Sequence, residues 1–233
     1  MKKFFLSAVC IISVLVADAQ SLEEIIRKYT IANKLDKVSG FKTIKITGNM
    51  SMMGMEAPVE MWMKNPDKIK TVTTISGQKI IHSFDGEKGY MVNPMTGSSG
   101  VKEISLKDVK QILRTSVFQN YLDEYYKKGN LSLAGEDVVK GKPAFKIKAT
   151  IEGGSVLLLF IDKTSYHLIK TSAEVTQGGI PMTVDTYPSD YRETNGIILP
   201  MRTTTSASGM EFVTTFTKVE VDTPVDDSFF KIN

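Results

Sequence analysis

The chain is short of the side chains that most enzymes rely on: one cysteine, two histidines and one tryptophan in 233 residues. The cysteine, Cys10, falls inside an N-terminal apolar run, so the rest of the chain has no disulfide and must hold by packing. His82 and His167 are far apart, with no HxxxH or HxH pair, which removes a zinc site of ordinary spacing. Both read as plain strand residues. There is no GxSxG elbow for a serine nucleophile; GSSG at 97–100 lacks the spacing and reads as a polar loop. Phosphate-cradling GxxxxGK[ST] and GxGxxG loops are absent, as is calcium-binding DxDxDG spacing. No cofactor, metal site or catalytic set is expected. One alternative stays open, an exported hydrolase whose carboxylates come together from distant strands. Charge is not in excess either. Lys and Arg number 29 against 26 acids, a net charge of +3, and the lysines are scattered among acids, so no nucleic-acid partner is expected.

The first residues read as an export signal and not as fold. MKK is a positive start, FFLSAVCIISVLV is an apolar run, and ADA supplies small residues for cleavage after Ala19. The run is too short to span a bilayer. Val9 before Cys10 is not the small residue that a lipid-modified cysteine needs. Loss of the leader removes Lys2, Lys3 and Asp18 and leaves a charge of +2. The expected organisation is a leader over 1–19, one domain over 20–233, and a monomer in the periplasm.

After the leader, Ser21 and Glu24 have capping-box spacing, and Leu22, Ile25, Ile26, Tyr29 and Ala32 form a helical stripe. The pattern predicts an amphipathic helix over 22–37. Residues 43–52 then alternate, with Ile44, Ile46, Met50 and Met52 on one face and Thr43, Lys45, Thr47, Asn49 and Ser51 on the other. Val59, Met61 and Met63 continue the apolar face; Glu60, Trp62 and Lys64 oppose it. KIKTVTTI and QKIIHSF pair around Ser76-Gly77, and Asp85-Gly86 marks another hairpin. Residues 105–128 break the rhythm, with Ser105 and Asp108 opening a helical insertion that bends near Ser116 and ends at Gly129. Val109, Ile112, Leu113, Val117, Tyr121 and Leu122 run down one side of it. Strands return to the end, divided by Gly153-Gly154, Gly178-Gly179, Asn195-Gly196 and Gly209. VLLLFI, apolar on both faces, reads as a central strand covered on both sides. Phe229, Phe230 and Ile232 of the tail read as a closing edge. The sum is a mainly β (α+β) fold. About ten or eleven antiparallel strands form a curled sheet, covered by the N-terminal helix and the insertion. So many strands do not stay flat.

Met50, Met52, Met53, Met55, Met61 and Met63 are half of the chain's twelve methionines. Methionine fills irregular gaps in an ordinary core. Flexible, polarizable side chains also suit a surface that accepts variable apolar shapes. The banding at one hairpin favours the second reading, with Met53 and Met55 at the turn.

Seven segments in order resemble the LolA/LolB family of periplasmic lipoprotein carriers. They are SGFKTIKITGNM, MWMKNPDKIK, FDGEKGYMVNP, LAGEDVVKGKPAFKIKAT, LFIDKTSYHLIK, YPSDYRETNGIILPMRTTT and PVDDSFFKIN. The resemblance implies a half-open antiparallel barrel with helices over an apolar cavity that takes acyl chains by lining. It implies lipid or lipoprotein acyl chains as cargo, and partners among the lipoprotein-handling proteins of the inner and outer membranes. The expected lining is Ile46, Met50, Met52, Met61, Met63, Ile80, Phe84, Met91, Phe145, Leu157 and Leu159. The family's arginine near the cavity mouth has no equivalent here, where the strand reads KIKTVT. An RseB-like sensor of lipid or lipoprotein on the same scaffold is the second expectation.

Overall fold

The structure, a computed structural model, describes residues 20–232 except 97, 115–117, 119, 152–153 and 178–179. The expected leader with Cys10, the bend at Ser116, Val117 and the turns at Gly153 and Gly178-Gly179 lie outside the described residues.

Helix α1 (Leu22–Ala32) begins where expected, with the Glu24 amide donating to Ser21 Oγ at 3.2 Å. It ends five residues earlier than the apolar stripe predicts. Asn33 caps it, its side-chain amide donating to the Tyr29 carbonyl at 2.8 Å, and Lys34 turns left-handed at φ 52°. A short 3-10 helix, Leu35–Gly40, carries the chain on.

Six strands then form a meander: β1 (Thr43–Met52), β2 (Met55–Lys64), β3 (Lys68–Ile75), β4 (Gln78–Phe84), β5 (Gly89–Asn93) and β6 (Ser98–Ile104). Helices α2 (Leu106–Leu113) and α3 (Tyr121–Lys127) follow. The second meander is β7 (Leu131–Val139), β8 (Lys142–Thr150), β9 (Val156–Asp162), β10 (Leu168–Gln177), β11 (Ile180–Thr194), β12 (Ile197–Ala207) and β13 (Met210–Val221). All thirteen join one antiparallel sheet in the order β6-β5-β4-β3-β2-β1-β13-β12-β11-β10-β9-β8-β7. The last strand pairs with the first, and the two free edges, β6 and β7, are consecutive in the chain. The α2–α3 segment must therefore cross from one edge to the other. This is the half-open barrel.

Thirteen strands replace the expected ten or eleven for three local reasons. SSGVKEI, residues 98–104, forms edge strand β6 and not a loop; an edge needs little apolar character because one side pairs with nothing. Lys140-Gly141, both at positive φ, splits GEDVVKGKPAFKIKATI into β7 and β8. Asp162 splits the next segment: its Oδ1 accepts from the amides of Thr164 at 2.9 Å and Ser165 at 2.7 Å, folding 163–167 into a turn. His167 thus lies in a turn and not in a strand. There it stacks on Tyr191 at 4.2 Å, and its Nδ1 lies 2.9 Å from Asn33 Oδ1.

Two cores lie on one face of the sheet. Under α1 and α3 they are Ile25, Ile26, Leu122 and Tyr125 against Phe145, Ile147, Leu159, Ile161 and Leu168. Under α2 and the first 3-10 helix, Val109 and Val38 meet Ile44, Ile46, Met63, Ile69, Phe84, Ile197 and Leu199. Gly89 is the seat of α2, since a Cβ there would stand 2.2 Å from Val109 Cγ2. On the opposite face a small cluster of Val139, Ala144, Phe160 and Ile169, with Leu158, covers the second side of VLLLFI. That strand, β9, is third from an edge and not central. The tail is not an edge either. It forms a 3-10 turn, Asp227–Phe230, on the outer face of β2–β4, where Phe229 meets Trp62 at 5.2 Å. Ser83 Oγ donates to the Phe230 carbonyl at 2.6 Å there, and Phe230 is fully buried.

Candidate functional site

Strand register arranges the inner face in rows. One row reads Ile46, Met61, Thr71, His82 and Met91 across β1 to β5. The next reads Phe216, Gly48, Val59, Thr73 and Ile80. On the other side of β1, Met50 neighbours Thr214 and then Thr203, and Met52 neighbours Phe212, Thr205, Thr186 and Thr171. Leu159 and Leu157 of β9 continue these rows beside Thr171 and Ala173. None of these positions is charged. Lys45, Glu60, Lys64, Lys70, Lys146, Lys170, Asp185, Arg202 and Lys218 fall on the outer face by the same alternation.

The eleven expected lining residues all lie on the inner face, in two states. Ile46, Met63, Phe84, Phe145 and Leu159 are closed beneath the helices in the two cores. Met50, Met52, Met61, Ile80, Met91 and Leu157 keep part of their surface open, as do Thr71, Thr73, Thr186, Thr203, Thr205, Thr214, Phe212 and Phe216. At the rim, Met53 is 81%, Met55 53% and Met210 45% exposed on adjoining hairpin tips. The left-handed pair Met53-Gly54 makes that turn, as its position between paired Met52 and Met55 requires. Two features escaped the sequence reading. The threonines, and His82 among them, share the face by simple alternation and were legible from the register. Burial holds His82 below its ordinary pKa, so it is neutral at pH 7.

The other feature is a group of phenols. Tyr29 of α1 and Tyr121 of α3 pack against the larger core, and Tyr191 of β11 reaches the same place. Burial, with mutual repulsion between the three, pushes each phenol far above the ordinary tyrosine range. Yet each side chain keeps some open surface. Tyr191 donates to the Leu168 carbonyl at 2.7 Å, and the Arg114 guanidinium donates to the Tyr125 hydroxyl at 3.5 Å. Sequence periodicity placed Tyr29 and Tyr121 in apolar stripes, where nothing marks a hydroxyl as different from core.

A pocket of about 170 Å³ on the outer face is lined by Asp137, Val138, Val139, Lys140, Phe160, Lys170 and Tyr187. Its lysines and aspartate suit no hydrocarbon. Among the described residues no three His, Cys, Asp or Glu side chains are grouped to hold a metal ion.

No family model and no curated protein matches the sequence. Solved structures do match in fold. The LolA superfamily protein NE2245 from Nitrosomonas europaea is 13% identical at a TM-score of 0.60, over 92% of this chain and 99% of that one. A domain assigned to an outer membrane lipoprotein-sorting protein from Vibrio parahaemolyticus is 12% identical at 0.59, over 90% and 97%. A DUF1329 family protein from Desulfovibrio piger ATCC 29098 is 15% identical at 0.58, over 89% and 97%. The chain is thus similar, over nearly its whole described length, to the LolA-like fold of an unclosed antiparallel sheet with helices over one face.

Proposed function

We propose that the protein is a non-enzymatic carrier that holds acyl chains of a lipid or lipoprotein against the inner face of its sheet. One observation carries the reading: the inner face is uncharged yet partly uncovered, from Leu157 through Met50 and Met61 to Met91. Apolar surface left open costs free energy, so a fold that closes two cores and leaves this band open leaves it for a guest. The phenols support the same reading. Tyr29 and Tyr121 pack against the core and yet keep part of their surface open, as does the methionine band.

The protein works as a periplasmic monomer, with a leader over 1–19 and a carrier domain over 20–233; the leader-like first residues support export, and the LolA-like fold supports transfer towards the outer membrane. Each buried methylene is worth roughly 0.8 kcal/mol against water, and a bilayer offers the same. Movement of cargo between pocket and membrane is therefore near neutral. Direction comes from how tightly the helices close over the guest, or from a membrane-bound partner that changes that closure.

A fluorescent fatty-acyl probe tests the reading. Met52→Asp and Met61→Asp put a carboxylate on the open inner face, and burying it under hydrocarbon is costly. Each is expected to weaken probe binding at least tenfold, while Thr74→Asp on the outer face leaves it unchanged. Equal binding by all four proteins, or no binding by the parent chain, overturns the proposal.

A further inference from the structure

We infer that the hydroxyls of Tyr29 and Tyr121 form a hydrogen-bonding anchor for the guest, taking the carbonyl oxygen at the head of an acyl chain. The inference rests on the carrier reading and adds to it the chemical group the site selects. Neither hydroxyl makes a hydrogen bond with a described residue, whereas the neighbouring phenols do: Tyr191 to the Leu168 carbonyl at 2.7 Å and Tyr125 with Arg114 at 3.5 Å. A buried hydroxyl without a partner is rare, because it forfeits its bonds to water. These two are not sealed, since each side chain retains open surface.

Their positions are fixed from several sides. Asn120 donates to Thr30 Oγ1 at 3.2 Å and ties the start of α3 to α1, beside both tyrosines. Tyr121 meets Tyr125 edge-on at 6.2 Å. Tyr191 is held by its bond to the Leu168 carbonyl and by the stacked His167. Fixed hydroxyls lose little freedom on binding.

The polarity of the group follows. With their pKa raised by burial, both phenols stay protonated at any physiological pH and donate. A pair of donors selects an acceptor, and the carbonyl is the acceptor nearest an acyl chain. Arg114 is the cation in electrostatic range of Tyr121.

The test uses Tyr29→Phe, Tyr121→Phe and the double variant, which remove two oxygens and keep the rings. Hexadecanoic acid, its methyl ester and hexadecane each displace the fluorescent acyl probe from the full-length exported protein. The double variant is expected to lose about tenfold in affinity for both the ester and the acid, the sum of two modest hydrogen bonds, and nothing for hexadecane. A loss for both supports the carbonyl anchor; a loss confined to the acid overturns it. Unchanged affinity for acid and ester, with hexadecane still bound, overturns the anchor and leaves the carrier. Failure of the parent protein to bind any of the three overturns both. The single variants give the same reading should the double variant unfold, as checked by circular dichroism.

Discussion

Met61 and Met63 stand two residues apart on the same face of β2, and they do different things. Met63 is fully buried against Ile44 and Ile69; Met61 keeps open surface. Met63→Ala should cost about 2–5 kcal/mol of stability in denaturant titration, as core truncations do. Met61→Ala should cost much less and show its effect in probe affinity. A reversed pattern would mean that the open band is not the working surface. His82, in the same row as Met61, gives a pH signature. Its folded pKa is depressed by burial, so the unfolded chain binds the proton more readily. Stability is then complete above the unfolded histidine pKa, roughly 6.5, and falls as pH drops below it. Burial depresses the His167 pKa as well, so both histidines act in this window. Tm measured from pH 8 to pH 5 should decline below about pH 6.5, and His82→Gln should reduce that decline, leaving the part that belongs to His167. The carboxylates of Asp85 and Asp162 respond only at lower pH. Burial opposes their ionisation, but the amides of Lys88 and Glu87 for one, and of Ser165 and Thr164 for the other, hold both below the ordinary range. The methionine face was legible in sequence because a strand's period of two leaves no choice of side. Which methionines are closed was not, since closure depends on α2 and Gly89, and Gly89 is distant in sequence from the residues it helps to cover.

At the scale of elements, the seam between β1 and β13 unites the two meanders. Its register shifts between Thr47 and Gly48, and a Cβ at Gly48 would stand 2.2 Å from the Thr215 carbonyl oxygen. The bulge brings the two backbones together there, and only glycine fits. Gly48→Val should destabilise by about 1–3 kcal/mol or more in equilibrium unfolding; a neutral result would mean that the seam does not hold the halves together. The tail is the second fastening. Lys64 pairs with Asp227 at 2.6 Å and Lys70 donates to the Phe229 carbonyl at 2.7 Å, while Phe230 is fully buried. Phe230→Ala should cost about 3–5 kcal/mol, most of it from lost packing, because the ion pair is largely solvent-screened. Hairpins with Asp-Gly, Asn-Gly or Ser-Gly turns were readable in advance. β6 was not, because its residues carry no apolar alternation and its place is given by pairing with β5. The tail's Phe-Phe read as an edge because sequence gives no hint of which surface accepts it; Ser83 and Trp62, distant in the chain, supply that surface.

Across the whole molecule, charge is sorted between the two faces of the sheet. From β5 round to β9, lysines such as Lys45, Lys70 and Lys170 take the outer face, while the inner rows carry methionine, threonine, leucine and phenylalanine; Lys102 beside Met91 and Glu136 beside Phe145 bring charge to the inner face only on the edge strands β6 and β7. Helices α1–α3 cover two parts of that face and leave the positions that run from Met61 through Met50 and Met52 to the hairpin tips partly open. The overall fold was legible because hairpin after hairpin leaves one simple order of strands, with the helical insertion as the interruption. The open band was legible only in part, since burial depends on how the insertion crosses between edges that sequence cannot locate. Native mass spectrometry of the protein exported and purified from a diderm bacterium tests the central claim most directly. A population carrying an added mass equal to an acyl-chain lipid is expected, released by mild activation and reduced in Met52→Asp. A protein that is wholly free of lipid, and stays so after incubation with fatty-acyl lipid vesicles, would contradict it.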